Sequence, residues 1–320
     1  MSHQLSRPTD TGDVPLVSVV MAVCDVERVL PFSIESVLAQ TLTDLELIIV
    51  DDASTDSTPK IIDYYRAIDA RVQVLRNPTN SRRSNIEWEP RNNGLQIARG
   101  AFIAYLDGDN TWDTRAVARL AEVLVIRPEI QLAYCRSRNF HHPDDLDEVI
   151  RADARSAVDR GPDWVVFAQE ELNRTELGRS QYVDTNEMMH RASIFRSLGT
   201  LWRTIHPNWT WVNENQGKRC RYRRHNDLDL VERVIEAFGV GSIAQVPEVL
   251  VNFYYSSAPR QTRRLPLALA SPRYDGATQL TAHDARERAG LQREGSSCRW
   301  VPTGGLAGSR HSRVVYWHRA

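Results

Sequence analysis

Apolar residues come in short, nearly unbroken runs separated by stretches of helical spacing. Leu16 to Val23 reads as a buried strand, and Leu45 to Val50 as a second. Such Val/Ile-rich runs suit strands covered on both faces. Between them, residues 29–40 place Ile34, Val37 and Leu38 at helical spacing. Ser54-Thr55-Asp56-Ser57-Thr58-Pro59 then supplies capping residues and a proline suited to a first turn, so a helix is expected to about Ile68. Residues 72–75 predict a short third strand, 77–90 a loop, 92–99 a helix and 101–106 a fourth strand. An amphipathic helix over 113–126 stops near Pro128, and 130–135 returns as a strand. Strands alternating with helices predict an α/β fold with a doubly wound, mostly parallel sheet.

The second half is less regular. Residues 143–160 are acidic and arginine-rich and read as a solvated excursion. Residues 181–184 suggest a strand and 192–198 a helix. Residues 206–224 are rich in tryptophan and arginine. A helix over 228–238 and strands over 242–246 and 249–255 follow. Beyond Pro259 the chain carries many arginines among Gly, Ser, Ala and Pro with little periodicity, so 259–320 reads as a poorly ordered basic tail. The expected organisation is a flexible stretch over 1–14, one domain over 15–258, and this tail. The domain divides into a nucleotide-binding half (15–136) and an acceptor half (137–258).

Composition narrows the classes. A formal net charge of -1 gives no global field toward nucleic acid. Cys24, Cys135, Cys220 and Cys298 are scattered, without metal spacing, so neither a disulfide framework nor a zinc site is expected. Residues 1–15 lack the apolar core of a signal peptide, and no apolar run is long enough to span a bilayer. A reduced, cytoplasmic setting fits, with peripheral contact at the inner face of a membrane left open.

The candidate chemistry lies at strand ends. The run Phe102-Ile103-Ala104-Tyr105-Leu106 stops at Asp107-Gly108-Asp109-Asn110. Open α/β sheets bind ligands at the C-terminal ends of their strands. Paired carboxylates there can hold a divalent cation, and the cation a diphosphate. A nucleotide-diphosphate substrate is the chemistry this implies. The plain alternative is an Asp-Gly turn.

Four features together give a family resemblance: Val17-Ser18-Val19-Val20-Met21, the turn Val50 to Asp56, the tip Asp107 to Asn110, and Met189-His190-Arg191 followed by Asn226-Asp227. The chain resembles the inverting nucleotide-sugar glycosyltransferases of family 2, with the GT-A fold. It looks closest to the spore-coat polysaccharide type, over roughly residues 15–257.

The resemblance implies a uridine- or thymidine-diphosphate sugar donor, a carbohydrate or small-molecule hydroxyl acceptor, and Mn2+ or Mg2+. Asp52 would accept the imide N–H of the base, and Ala22 would lie against it. Asp109 would bind the metal directly, and Asp107 the ribose or a metal-bound water. Asn110 stands where a third acid is often found. Arg91 would meet the phosphates or the sugar. Asp184 would lie near the sugar of donor or acceptor. Asp227 is the candidate base that takes the acceptor proton; the family often has Glu-Asp here, and this chain has Asn226-Asp227. Asp229 competes for that role, and Asp227 also suits a helix cap. Trp209, Trp211 and His190 are acceptor-side candidates, with core packing as the alternative.

Two rival readings stand beside this one. A nucleotidyltransferase would share the sheet and the metal acids. It would want a glycine-rich basic segment after the first strand, where this chain has Val23-Cys24-Asp25-Val26-Glu27. The other rival is a sugar-nucleotide-binding protein of the same fold without turnover. Gln261-Thr262-Arg263-Arg264 partly matches the Q-x-x-R-W of processive synthases, but Leu265 replaces the tryptophan.

Overall fold

The computed structural model describes residues 14–81, 89–141, 143–153, 155–169, 183–198, 202, 211–213, 218–220 and 226–255. In chain order the elements are β1 (Val17–Val23), α1 (Leu30–Leu38), β2 (Leu45–Asp51), α2 (Thr58–Ile68), β3 (Val72–Arg76), α3 (Glu89–Ile97), β4 (Phe102–Tyr105), β5 (Thr111–Trp112) and α4 (Ala116–Ile126). There follow β6 (Leu132–Phe140), α5 (Leu146–Ala152), β7 (Ala157–Arg160), β8 (Trp164–Phe167), β9 (Met188–Arg191), α6 (Ile194–Leu198), β10 (Trp211–Asn213), β11 (Lys218–Cys220), α7 (Asn226–Phe238) and β12 (Ile243–Tyr254).

One sheet runs in the order β3-β2-β1-β4-β9-β6-β12-β5. Strands β3, β2, β1 and β4 are parallel, and β6 pairs parallel with β12. Strand β9 is antiparallel to both β4 and β6, β5 to β12, and β8 to β6. So β6 and β12 run the same way as β4, and most strands end on one rim. Because β9 runs against its neighbours, its beginning lies on that rim. This is how Asp184, upstream of β9, comes level with the tip beyond β4.

Both faces are covered. On one side α1, α2 and α4 pack Ile34, Val37, Ile62, Val117 and Leu120 against Val19, Met21, Leu47 and Ile49. On the other, α6 and α7 pack Ile194, Leu230, Val231 and Val234 against Ile103, Tyr105, Leu132 and Tyr134. Helix α3 lies close to the sheet because Gly94 lacks a side chain; a Cβ there would come 2.6 Å from Val20 Cγ1. Gly108 is required for the same reason. A Cβ on it would meet Val23 Cγ1 at 2.6 Å, so only glycine lets the two aspartates flank a turn pressed against β1.

The elements of the first half follow the periodicity. Four expectations are corrected. Of the strand placed at 181–184, residues 181–182 lie outside the described residues, and Asp184 caps a 3-10 turn at Thr185–Glu187 that leads into β9. The excursion over 143–160 contains α5 and β7, and Leu146 packs in a small core with Val165 and Phe167. The loop over 77–90 yields its last residues to α3. The two strands expected after 242 are one, β12, kinked by register shifts near Val249. The bounds of domain and tail at 259–320 fall outside the described residues. Among those described, no helix is long and apolar enough to cross a membrane.

Candidate active site

Asp52 follows the last residue of β2 and is 4 % exposed. Its Oδ1 accepts from Asn77 Nδ2 at 2.8 Å, and its Oδ2 accepts from the Ser81 hydroxyl at 2.7 Å. The Ser81 amide points at both oxygens, 3.1 and 3.0 Å away. Asp52 therefore fixes the loop after β3 against the rim. Asn93 of α3 donates to Asn77 Oδ1 at 2.9 Å and ties that loop to the helix carrying Arg91. Ala22, half-buried on β1, pairs with Val50 just below Asp52. Asp51 closes the turn instead, accepting the Ser54 amide at 3.0 Å.

Two strands away, the tip after β4 carries Asp107 and Asp109. Adjacent strands lie about 4.8 Å apart, so Asp52 and Asp107 stand on the order of 10 Å apart along the rim. Arg91 donates to Asp107 Oδ1 in a largely buried ion pair and lies 5.7 Å from the centroid of the Trp202 ring. Burial alone would lower the Arg91 pKa. The charges of Asp107, Asp227 and Asp184 outweigh it and hold the guanidinium firmly protonated. One cation thus sits within electrostatic reach of three carboxylates from three different elements.

The 3-10 turn before β9 organises these acids. Asn186 is fully buried. Its Oδ1 accepts the Asp107 amide at 2.6 Å, and its Nδ2 donates to Asp107 Oδ2 at 3.2 Å and to Asp184 Oδ1. Its carbonyl accepts from Trp112 Nε1 at 2.8 Å. The Thr185 hydroxyl donates to Asp227 Oδ1. Glu187 Oε2 accepts the Asp184 amide at 3.1 Å, completing a capping box. Each residue of this turn therefore holds part of the carboxylate group.

Burial, then the charges of Asp227, Glu187 and Asp107, push the Asp184 pKa well above the usual carboxylate range. Burial pushes Glu187 up to about 7. Crowded carboxylates in a poorly hydrated place cannot all ionise, so some hold protons near neutrality.

Asp227 lies in the first turn of α7 and is 8 % exposed. The competing Asp229 pairs with Arg233 Nε at 2.8 Å, one turn along the helix. Asn110 does not extend the acidic tip: it is buried, and its Oδ1 accepts the Tyr254 amide at 3.0 Å, bolting the tip to β12. His190, expected on the acceptor side, lies in the core of β9. Its Nε2 is 2.8 Å from the Tyr105 hydroxyl and its Nδ1 is 3.0 Å from the Arg191 carbonyl oxygen. Burial lowers its pKa to about 4, so the ring is neutral. Trp211 is in β10, which pairs with β11 as a separate ribbon. Trp209 lies outside the described residues.

Metal donors are sparse. Among the described residues no three His, Cys, Asp or Glu side chains gather into a metal cage. Asp107 is engaged by Arg91 and Asn186, while Asp109 is half-exposed on the same tip. That donor set fits a hard cation held by one carboxylate together with oxygens of a bound diphosphate.

Asn186 and Thr185 were not singled out from sequence. The signal was present: Asp184-Thr185-Asn186-Glu187 has the spacing of a capping box, which places a turn immediately before the Met188 strand.

Residues 18–198 match the family described as Glycosyl transferase family 2. The uncharacterized glycosyltransferase EpsJ of Bacillus subtilis is 35% identical over 109 residues, 34% of this chain and 30% of that protein. The UDP-Glc:alpha-D-GlcNAc-diphosphoundecaprenol beta-1,3-glucosyltransferase WfaP of Escherichia coli is 35% identical over 103 residues, 32% of this chain and 39% of its own. The matched stretches thus span well under half of those relatives. The crystal structure of S. aureus TarS 1-349 in complex with UDP-GlcNAc superposes with a TM-score of 0.50 and 15% identity, covering 78% of this chain and 61% of that one. This likeness shows a shared GT-A fold. The match to more than half of the chain, together with the fold, means that the protein belongs to glycosyl transferase family 2.

Proposed function

We propose that this chain transfers a sugar from a uridine- or thymidine-diphosphate sugar to an acceptor hydroxyl, with inversion at the anomeric carbon. One observation carries the reading: adjacent residues of one turn hold both acids, Thr185 bonding Asp227 and Asn186 bonding Asp107, which supports placing the donor tip and the candidate base in one site. Family membership supports nucleotide-sugar chemistry, and WfaP, by its name, uses a UDP-linked sugar.

Each residue then has a task. Asp52 stands on the order of 10 Å from Asp107, a separation that suits a base at one end and a diphosphate at the other. Asp52 would accept the base N–H, sharing its oxygens with Asn77 and Ser81. Arg91 orients Asp107 and offsets charge where the diphosphate lies. Asp109 and diphosphate oxygens would hold Mn2+ or Mg2+, which neutralises the departing diphosphate. Asp184, biased toward its protonated form, can donate to a sugar oxygen. Thr185 orients Asp227, which takes the acceptor proton as the hydroxyl oxygen attacks.

The test is nucleoside-diphosphate release from a panel of uridine- and thymidine-diphosphate sugars, with Mn2+ or Mg2+ and with chelator. Release that needs the cation and is lost in Asp109→Ala is the expected result. No release from any donor, or release indifferent to the chelator, contradicts the reading.

A further inference from the structure

The rim beyond Asp184 carries an aromatic surface. Tyr255 follows β12 and is 47% exposed. Its ring lies parallel to His141 just beyond β6, with centroids 4.5 Å apart and planes 6° apart. Phe253 packs against the same Tyr255 ring, tilted by 40° with centroids 4.5 Å apart. The Tyr255 amide donates to the Phe140 carbonyl at 2.8 Å, so the backbone is fixed as well.

The preceding residue ties this end of β12 to the acidic tip: the Tyr254 amide donates to Asn110 Oδ1 at 3.0 Å. Burial and then the charges of Asp184 and Glu187 push the Tyr255 pKa up to about 12, while Arg155 opposes them. Arg155 is held by Asp153 at 2.9 Å and covers the Phe167 ring at 4.7 Å. His141 Nε2 is buried without a hydrogen-bond partner, and burial lowers the ring's pKa. A neutral imidazole serves here as a flat support beneath the exposed phenol.

We infer that the Tyr255–His141 stack, at the rim next to the acidic tip, is the platform on which an acceptor sugar ring lies. The inference rests on the proposed transferase activity and names its acceptor subsite. Aromatic faces bind the C–H faces of sugar rings while leaving the hydroxyls at the ring edge accessible. A sugar lying on Tyr255 would sit at the rim that carries the acidic tip, since the adjoining Tyr254 is bonded to Asn110 there. Stacking selects a carbohydrate acceptor over a small aliphatic alcohol.

The test uses the full chain, a donor accepted by the wild type, and a panel of methyl and 4-nitrophenyl glycosides as acceptor probes. Tyr255→Ala is expected to raise the acceptor KM about tenfold while the donor KM moves less than about twofold. Tyr255→Phe keeps the stack and is expected to retain most of the wild-type acceptor KM. His141→Ala, which removes only the support, is expected to raise the acceptor KM less than Tyr255→Ala. Saturation-transfer NMR reads binding without turnover: the wild type transfers saturation to at least one glycoside, and Tyr255→Ala does not. An unchanged acceptor KM in Tyr255→Ala, an equal rise in both KM values, or no saturation transfer to any glycoside in the wild type overturns the inference. Absence of release from every nucleotide sugar would instead overturn the transferase reading, and the NMR result would still decide the platform.

Discussion

Two carboxylate sites on one rim are held in opposite ways. Asp52 is met by neutral dipoles: an amide side chain, a hydroxyl and a backbone N–H, all from the loop after β3. Asp107, Asp184 and Asp227 crowd together and lean on one guanidinium, one amide side chain and one hydroxyl. The first arrangement fixes a single acceptor of hydrogen bonds at a set place, which suits recognition. The second keeps charges in tension and the Asp184 carboxyl displaced upward, which suits proton transfer and the handling of a charged leaving group. The difference lies in the architecture. Asp52 is local to β2 and its neighbouring loop. The crowded group is assembled from α3, the β4 tip, the turn before β9, and α7.

Removing the shared cation should separate the two sites most sharply. Arg91→Met leaves three carboxylates with little to offset them, and breaking a buried pair from one side costs about 3–5 kcal/mol. Thermal denaturation should show a fall on the order of 10 °C. Asp52→Asn swaps an acceptor for a donor and should cost about 1–3 kcal/mol, with weaker binding of UDP by calorimetry. Equal losses in the two variants would erase the distinction.

A smaller effect should appear in the pH dependence of stability. Glu187 has a folded pKa of about 7, above the ordinary value of 4.5. Between these values the folded state binds more protons than the unfolded one, so stability falls as pH rises. One such group contributes at most about 1.4 kcal/mol per pH unit. Glu187→Gln should flatten the decline between pH 4.5 and 7 in denaturation curves. A slope that persists unchanged would assign it elsewhere, with Asp184 next in line.

The smallest effect concerns the Asp52 side. Ala53 adopts φ 58°, a left-handed conformation that costs a residue with a Cβ about 1 kcal/mol. Ala53→Gly should therefore stabilise by up to about 1 kcal/mol, the glycine's own unfolded-state entropy offsetting part of the gain.

The legibility of the sequence follows the same division. Strands β1, β2 and β4 are read directly because they are buried on both faces and rich in branched residues. The acids at their ends stand out against those runs. Strand β9 is short, reads Met-Met-His-Arg, and buries a histidine that only Tyr105 and a backbone carbonyl make tolerable. Its antiparallel insertion depends on long-range pairing with β4 and β6, which no local pattern encodes. The capping-box spacing marks the turn that holds Asn186, but its bonds to Asp107 and Trp112 span 79 and 74 residues and leave no local pattern. Asn110 illustrates the converse: it stands in the acidic tip where a third acid is often found, and tertiary pairing with Tyr254 makes it a bolt.

The central claim is that Asp227, oriented by Thr185 and sharing Arg91's field with the donor tip, removes the acceptor proton. Asp227→Asn keeps the shape and removes the basicity. Measured with one nucleotide sugar and a working acceptor, it should bind UDP within about twofold of wild type and lose transfer by about a thousandfold or more. Transfer at the wild-type rate by this variant would contradict the account.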